Sequence, residues 1–154
     1  MQASSIESYT PAAVEIPAIN VEAPIVAMGL REDGAMEVPD NGEETAWFEP
    51  GKAPGERGNA VIAGHVDDKQ GPAVFFDLEH VDPGDEVIIT DKNNTRQLFT
   101  ITNKESFPYQ EAPLEDIFGY SGKKQIKLIT CTGEFDRDAG THEDRLVITA
   151  ELNK

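Results

Sequence analysis

The chain has 154 residues, with 29 acidic side chains against 13 basic ones and a formal charge of −16. That length supports one domain with a proper core. The charge argues against a nucleic-acid binder, which needs a basic footprint. Apolar residues make up 38% and there are 13 glycines, close to a globular composition, so wholesale disorder is excluded as well. A single cysteine, Cys131, rules out an internal disulfide and any multi-cysteine metal site.

The charge is unevenly spread: ten acids but only Arg31 among the bases fall in residues 1–50. Residues 1–13 carry no apolar run of membrane-spanning length, and their Ser, Ala and Pro content predicts a flexible leader or the remnant of a juxtamembrane segment. The domain is expected over residues 14–154. From Val14 to Val26, β-branched and polar residues alternate around Pro17 and Pro24, which predicts an edge strand followed by a second short strand. Asp33-Gly34 marks a turn, and the segment up to Gly51 reads as a polar loop anchored by Trp47-Phe48. Residues 58–66 form a nearly continuous apolar run, the pattern of a strand buried on both faces, with His65 at its far end.

Val74, Leu78 and Val81 recur at helical spacing after Pro72, predicting a short helix or helical turn over 72–81. Residues 86–90 and 96–102 then read as a hairpin about the turn 91–94. Residues 113–118 could form one helical turn. Two more strands follow, 125–131 and 145–152, joined by thirteen residues. Many short strands with few helical pieces predict an all-β barrel or sandwich with small helical insertions. A parallel α/β sheet would need crossover helices that the pattern does not supply.

Cys131 ends its strand in phase with Ile129 and Lys127, on the more polar side, while Arg145 starts the last strand off its apolar face. If these strands pair antiparallel, Cys131 and Arg145 become neighbours. Taken singly, each residue has a bland role: a small buried hydrophobe, a solvated arginine, a hydrogen-bonded histidine. Together His65, Cys131 and Arg145 supply what acyl transfer by a thiol needs, namely a nucleophile, a proton carrier and a donor for the developing oxyanion. His80 lies among acids, and His142, in the long loop, is the alternative base.

Ala63-Gly64-His65, Leu128-Ile129-Thr130-Cys131 and Arg145-Leu146-Val147-Ile148 resemble, in order and spacing, the motifs of the sortases, cysteine transpeptidases of Gram-positive cell surfaces. Residues 16–25 are similar to the first strands of that family, so the resemblance runs from Val14 to Leu152. Residues 71–75 and 131–136 look most like its class F members. Lys127 departs from the usual threonine of the pattern ending at Cys131, and some class F-like sequences keep an arginine at the position of Arg137, which stands as the alternative to Arg145.

The resemblance implies an eight-stranded β-barrel with short helices. It also implies cleavage of a Leu-Pro-x-Thr-Gly-type sorting signal between Thr and Gly through a thioester on Cys131, and transfer to an amine of peptidoglycan or a pilin. His65 would move the proton, Arg145 would donate to substrate or oxyanion, and Thr130 would bind substrate. No cofactor and no resident metal are expected; the acidic loop from Glu134 to Gly140 has its glycine one place off a calcium-loop pattern and lacks the closing glutamate. The expected location is the extracellular face of the cell membrane, held by an anchor outside this chain. An L,D-transpeptidase is disfavoured because no histidine, glycine and arginine cluster surrounds Cys131. The contrasting reading is a non-catalytic surface module in which Cys131 is simply buried.

Overall fold

The apolar run ending at His65 forms β4 (Gly58–His65), and seven of its eight residues are buried. A strand buried on both faces must be flanked by neighbours and covered on each side, and β4 is the centre of such an arrangement. The computed structural model describes residues 10–29, 43–49, 53–65, 67–68, 71–72, 74–108, 122–131 and 144–153. In it, β1 (Pro11–Ile16), β2 (Val21–Met28), β3 (Thr45–Phe48), β4, β7 (Glu86–Asp91), β8 (Arg96–Pro108), β9 (Lys124–Cys131) and β10 (Asp144–Leu152) close into one barrel in the order β1-β2-β3-β4-β9-β10-β8-β7. Two two-residue strands, β5 (Asp67–Asp68) and β6 (Gly71–Pro72), form a separate small hairpin. The all-β, eight-stranded expectation holds, with helical structure among the described residues limited to two 3-10 turns, Pro17–Ile19 and Leu78–His80.

Every second residue of each barrel strand points inward and fills the interior. Val14, Ile16, Ile25, Trp47, Ile62, Ile89, Phe99, Ile126, Leu128 and Ile148 belong to this main core. A smaller cluster of Val61, Ile129 and Val147, with Phe48 packed against it, lies in the opposite phase on the outer side of the wall. The inner row of β4 and β9 is apolar, and so is part of the outer one. That explains the nearly continuous apolar run of β4 in the sequence.

Several elements differ from the sequence pattern. The expected edge strand is not an edge: β1 pairs with both β2 and β7, because closure of the barrel leaves no free side. Its first residue is Pro11, three before Val14. Pro24 is accommodated at the point where β2 begins to pair with β3; the ladder starts at Ile25↔Thr45, and Thr45 Oγ1 donates to the Pro24 carbonyl at 3.0 Å. Trp47 and Phe48, expected to anchor a loop, are in strand β3. Four residues are too few for alternation to register above the surrounding polar sequence.

Two strand pairs, β2–β3 and β4–β9, are parallel, although no crossover helix joins either pair among the described residues. The 72–81 segment carries successive i→i+3 bonds at Phe75, Asp77 and Leu78, so it tightens into 3-10 turns instead of an α-helix. Its apolar spacing was informative all the same: Leu78 and Val81 are fully buried and Val74 packs against the core.

The β8 strand runs well past residue 102. Between Ile101 and Asn103, partners of Ala150 and Thr149, the extra residue Thr102 forms a bulge that resets the register, and residues up to Pro108 pair with β10. Lys104, beyond the bulge, reaches over the barrel mouth and donates from Nζ to the carbonyls of Glu79 and Val81, 2.9 and 2.8 Å away. The predicted leader up to residue 9, the turn at 33–34, the helical turn at 113–118 and the loop bearing Glu134 to Gly140, Arg137 and His142 lie outside the described residues.

Candidate active site

Two strands that pair in parallel bring their carboxyl ends to the same level. The β4–β9 ladder runs from Gly58↔Lys124 to Gly64↔Thr130 and ends on His65↔Cys131. The histidine and the cysteine are therefore direct neighbours across the last rung, with Cα atoms about 5 Å apart at ordinary strand spacing. Neither residue's position in its own strand reveals this. The parallel register does.

The third residue comes from the other side of β9. The antiparallel β9–β10 ladder pairs Val147↔Ile129 and Ile148↔Leu128 and has no pair beyond Val147; the same register carried two residues further would bring Arg145, which pairs with Phe107 on its other side, opposite Cys131. The backbone ladder stops at Val147, and a side chain takes over: Thr130 Oγ1 accepts the Leu146 N–H at 2.9 Å. Thr130 is only 4% exposed, so its hydroxyl oxygen is committed to holding the start of β10 against the end of β9. The expected antiparallel pairing of these strands is what the structure contains. His65 and Cys131 share the last rung of the β4–β9 ladder, and Arg145, the second residue of β10, is next to them in the continued register.

Beneath that row, in the same phase, lie Ala63, Ile129 and Val147, all 6% exposed or less. One row further down, Lys127, the departure from the family pattern, donates from Nζ to Thr149 Oγ1 at 2.9 Å. A dry apolar layer thus separates the proposed chemistry from the nearest lysine of that strand. His65 Nδ1 is sealed from solvent, while the residue as a whole is half-buried. His80 is not part of the row. Its imidazole is 64% exposed on the turn over the barrel mouth, 3.7 Å from Glu79 and 4.0 Å from Asp77.

Sequence reasoning missed what fixes His65 from behind. Gly64, the inward-phase residue just before it, is covered by Phe75, and the Phe75 N–H donates to the His65 carbonyl at 2.9 Å. Of the adjacent pair Phe75-Phe76, the first is 1% exposed and the second 46%. Nothing in two consecutive phenylalanines distinguishes them before the turn is known. Among the described residues, no group of three or more His, Cys, Asp or Glu side chains converges as a metal site, and no helix is long and apolar enough to cross a membrane.

The same architecture recurs in known structures. Sortase A from Corynebacterium diphtheriae superposes with a TM-score of 0.72 at 22% identity, over 94% of this chain and 61% of that one. Sortase C-1 from Actinomyces oris gives 0.72 at 18% identity, over 97% and 75%, and sortase C from Clostridium perfringens SM101 gives 0.67 at 19%, over 96% and 71%. These identities establish a shared fold. The chain spans about three fifths of the length of the Corynebacterium protein. No curated protein matches it significantly. A family model described as the Sortase domain, however, matches residues 14–153, nearly the whole barrel, and the chain belongs to the sortase family.

Proposed function

We propose that the protein is a cysteine transpeptidase. It would cut a Leu-Pro-x-Thr-Gly-type sorting signal between Thr and Gly and join the new carbonyl to an amine of the cell wall or of a pilin. The observation that carries this reading is the His65↔Cys131 rung with Arg145 next in register across β9. The Cys131 thiolate adds to the Thr–Gly carbonyl, and the electron pair pushed onto oxygen is met by the Arg145 guanidinium. Collapse of that adduct breaks the C–N bond as His65 delivers a proton to the departing glycine nitrogen, leaving a thioester on Cys131. An incoming amine then attacks the thioester, loses a proton to His65 and releases the thiolate. Water in place of the amine gives slow hydrolysis.

Thr130 serves this chemistry by keeping Arg145 in reach of Cys131. Its hydroxyl oxygen is taken by Leu146, and its O–H remains available as a donor to substrate. The partners are a sorting-signal peptide and an amine acceptor. The site of action in this reading is the extracellular face of the cell membrane. The class F likeness rests on residues 71–75 and 131–136. No cofactor enters any step.

Mass spectrometry of the protein incubated with a panel of sorting-signal peptides and amines tests the reading. An adduct on Cys131 with the mass of the peptide up to Thr, chased by amine to a ligated product, is expected. A thiol that never acylates with any peptide of the panel, and that alkylates at the same rate with and without peptide, points to a non-catalytic module with a structural cysteine.

A further inference from the structure

We propose that Phe75 is the positioning residue for His65, gripping the end of β4 at two consecutive residues; the proposal rests on the reading of His65 as the proton carrier. The first grip is through the side chain. Gly64 lies in the inward phase of β4, and a Cβ placed there would sit 2.8 Å from Phe75 Cδ2, 3.0 Å from Cε2 and 3.0 Å from Val74 Cγ1. The ring therefore rests directly on the Gly64 backbone, in space that only the absent side chain leaves open. The second grip is through the backbone: the His65 carbonyl accepts the Phe75 N–H at 2.9 Å.

These grips matter because β4 ends there. Its ladder with β9 finishes at His65, and its ladder with β3 has already finished at Ala63. A residue that ends its strand and is only part-buried frays unless something behind it is fixed. Phe75 is fixed. It is 1% exposed, its carbonyl accepts the Leu78 N–H at 3.1 Å, and Leu78 and Val81 are fully buried in the barrel interior. Lys104 then ties the far side of the same turn to β8 through the Glu79 and Val81 carbonyls. The histidine's backbone is thus braced against the barrel core by a turn that contributes no reacting group. A proton carrier misplaced by about 1 Å can lose on the order of a hundredfold in rate, so such bracing has a kinetic consequence.

Phe75→Leu removes the ring but keeps a buried apolar side chain. Gly64→Ala displaces the ring without removing it. Phe76→Leu, at the exposed neighbour, is the control. Two readouts are taken on folded protein. In carbon-13 NMR, the His65 ring resonance is expected to shift or broaden in Phe75→Leu and Gly64→Ala while that of His80 stays put, and Phe76→Leu is expected to move neither. In kinetics, thioester formation with a sorting-signal peptide is expected to fall about tenfold or more with KM little changed, and Phe75→Leu is expected to cost nothing further in a His65→Ala background.

An unmoved His65 resonance in folded Phe75→Leu and Gly64→Ala, or equal fractional losses in both backgrounds, overturns the positioning role. If Phe75→Leu does not fold, Gly64→Ala decides alone. Failure of the wild-type protein to acylate with any peptide overturns the reading beneath the proposal. Normal wild-type acylation with an undisturbed His65 in the variants overturns the proposal alone.

Discussion

The turn joining β7 to β8 and the row formed by His65, Cys131 and Arg145 sit at opposite ends of the barrel wall, and they are held by different kinds of contact. In the turn, Asp91 Oδ1 accepts the N–H groups of Asn93 and Thr95, both at 2.8 Å, and Asn94 takes a φ of 69°, so adjacent residues settle the geometry. In the row, three strands from distant parts of the chain meet, and the agreement between them comes from the parallel β4–β9 register and the Thr130 to Leu146 bond. Local contacts form whether or not the rest of the molecule is right. A row built from distant strands exists only once the barrel has closed. Variants at the two ends should therefore separate rate from stability.

The largest effect is expected at the centre of the row. Cys131→Ala should abolish acyl-enzyme formation and peptide cleavage altogether while the melting temperature stays within a degree or two of wild type. Residual thioester in that variant would remove Cys131 from its role. Next comes the arginine. Loss of one oxyanion donor costs about a hundredfold to a thousandfold in rate, so Arg145→Ala should reach that range in single-turnover cleavage and Arg137→Ala should not. The reverse ranking would give the oxyanion role to the loop and leave Arg145 as the start of β10 only.

The two ends were also unequally legible in the sequence. Asp91 to Asn94 between two alternating runs identifies the hairpin outright. The strands bearing the row were legible as strands, since β4 is a nearly continuous apolar run ending in His65 and β9 alternates towards Cys131. Their adjacency was not, because a parallel pairing between distant strands leaves no local signature and came only with the family likeness. β3 was lost because four residues among acids look like loop, and the end of β8 because the polar run Asn103 to Ser106 carries no core pattern. Phe75 was hidden by its twin, Phe76.

A smaller effect on rate is expected at Thr130, where the same contrast can be tested inside the row. Thr130→Val keeps shape but cannot accept from Leu146. It should slow cleavage about tenfold, the kinetic equivalent of one net hydrogen bond at about 1.4 kcal/mol. It should also raise hydrogen exchange at the Leu146 amide, and Thr130→Ser should restore both. Slowed cleavage with an unchanged Leu146 amide would mean that the hydroxyl acts on substrate alone.

The smallest effect on rate belongs to the far turn. Asp91 is 7% exposed and its carboxylate oxygen satisfies two backbone donors, so Asp91→Ala leaves both without their acceptor. Hydrogen bonds to a charged acceptor contribute about 1.5–3 kcal/mol, and a loss of about 2 kcal/mol is expected. In a domain of this size that lowers the melting temperature by roughly 4–8 °C. Asp91→Asn, which keeps a carbonyl oxygen in place, should lose less than half as much. Neither variant should change the rate of thioester formation when assayed well below its melting temperature, because no strand of the row depends on that turn for its register with the other two. β9 pairs directly with both β4 and β10, and β7 touches none of the three in a ladder. A slowed thioester step in folded Asp91→Ala would mean that strain at the hairpin travels through β8 into β10, and that the two ends of the barrel are one mechanical unit.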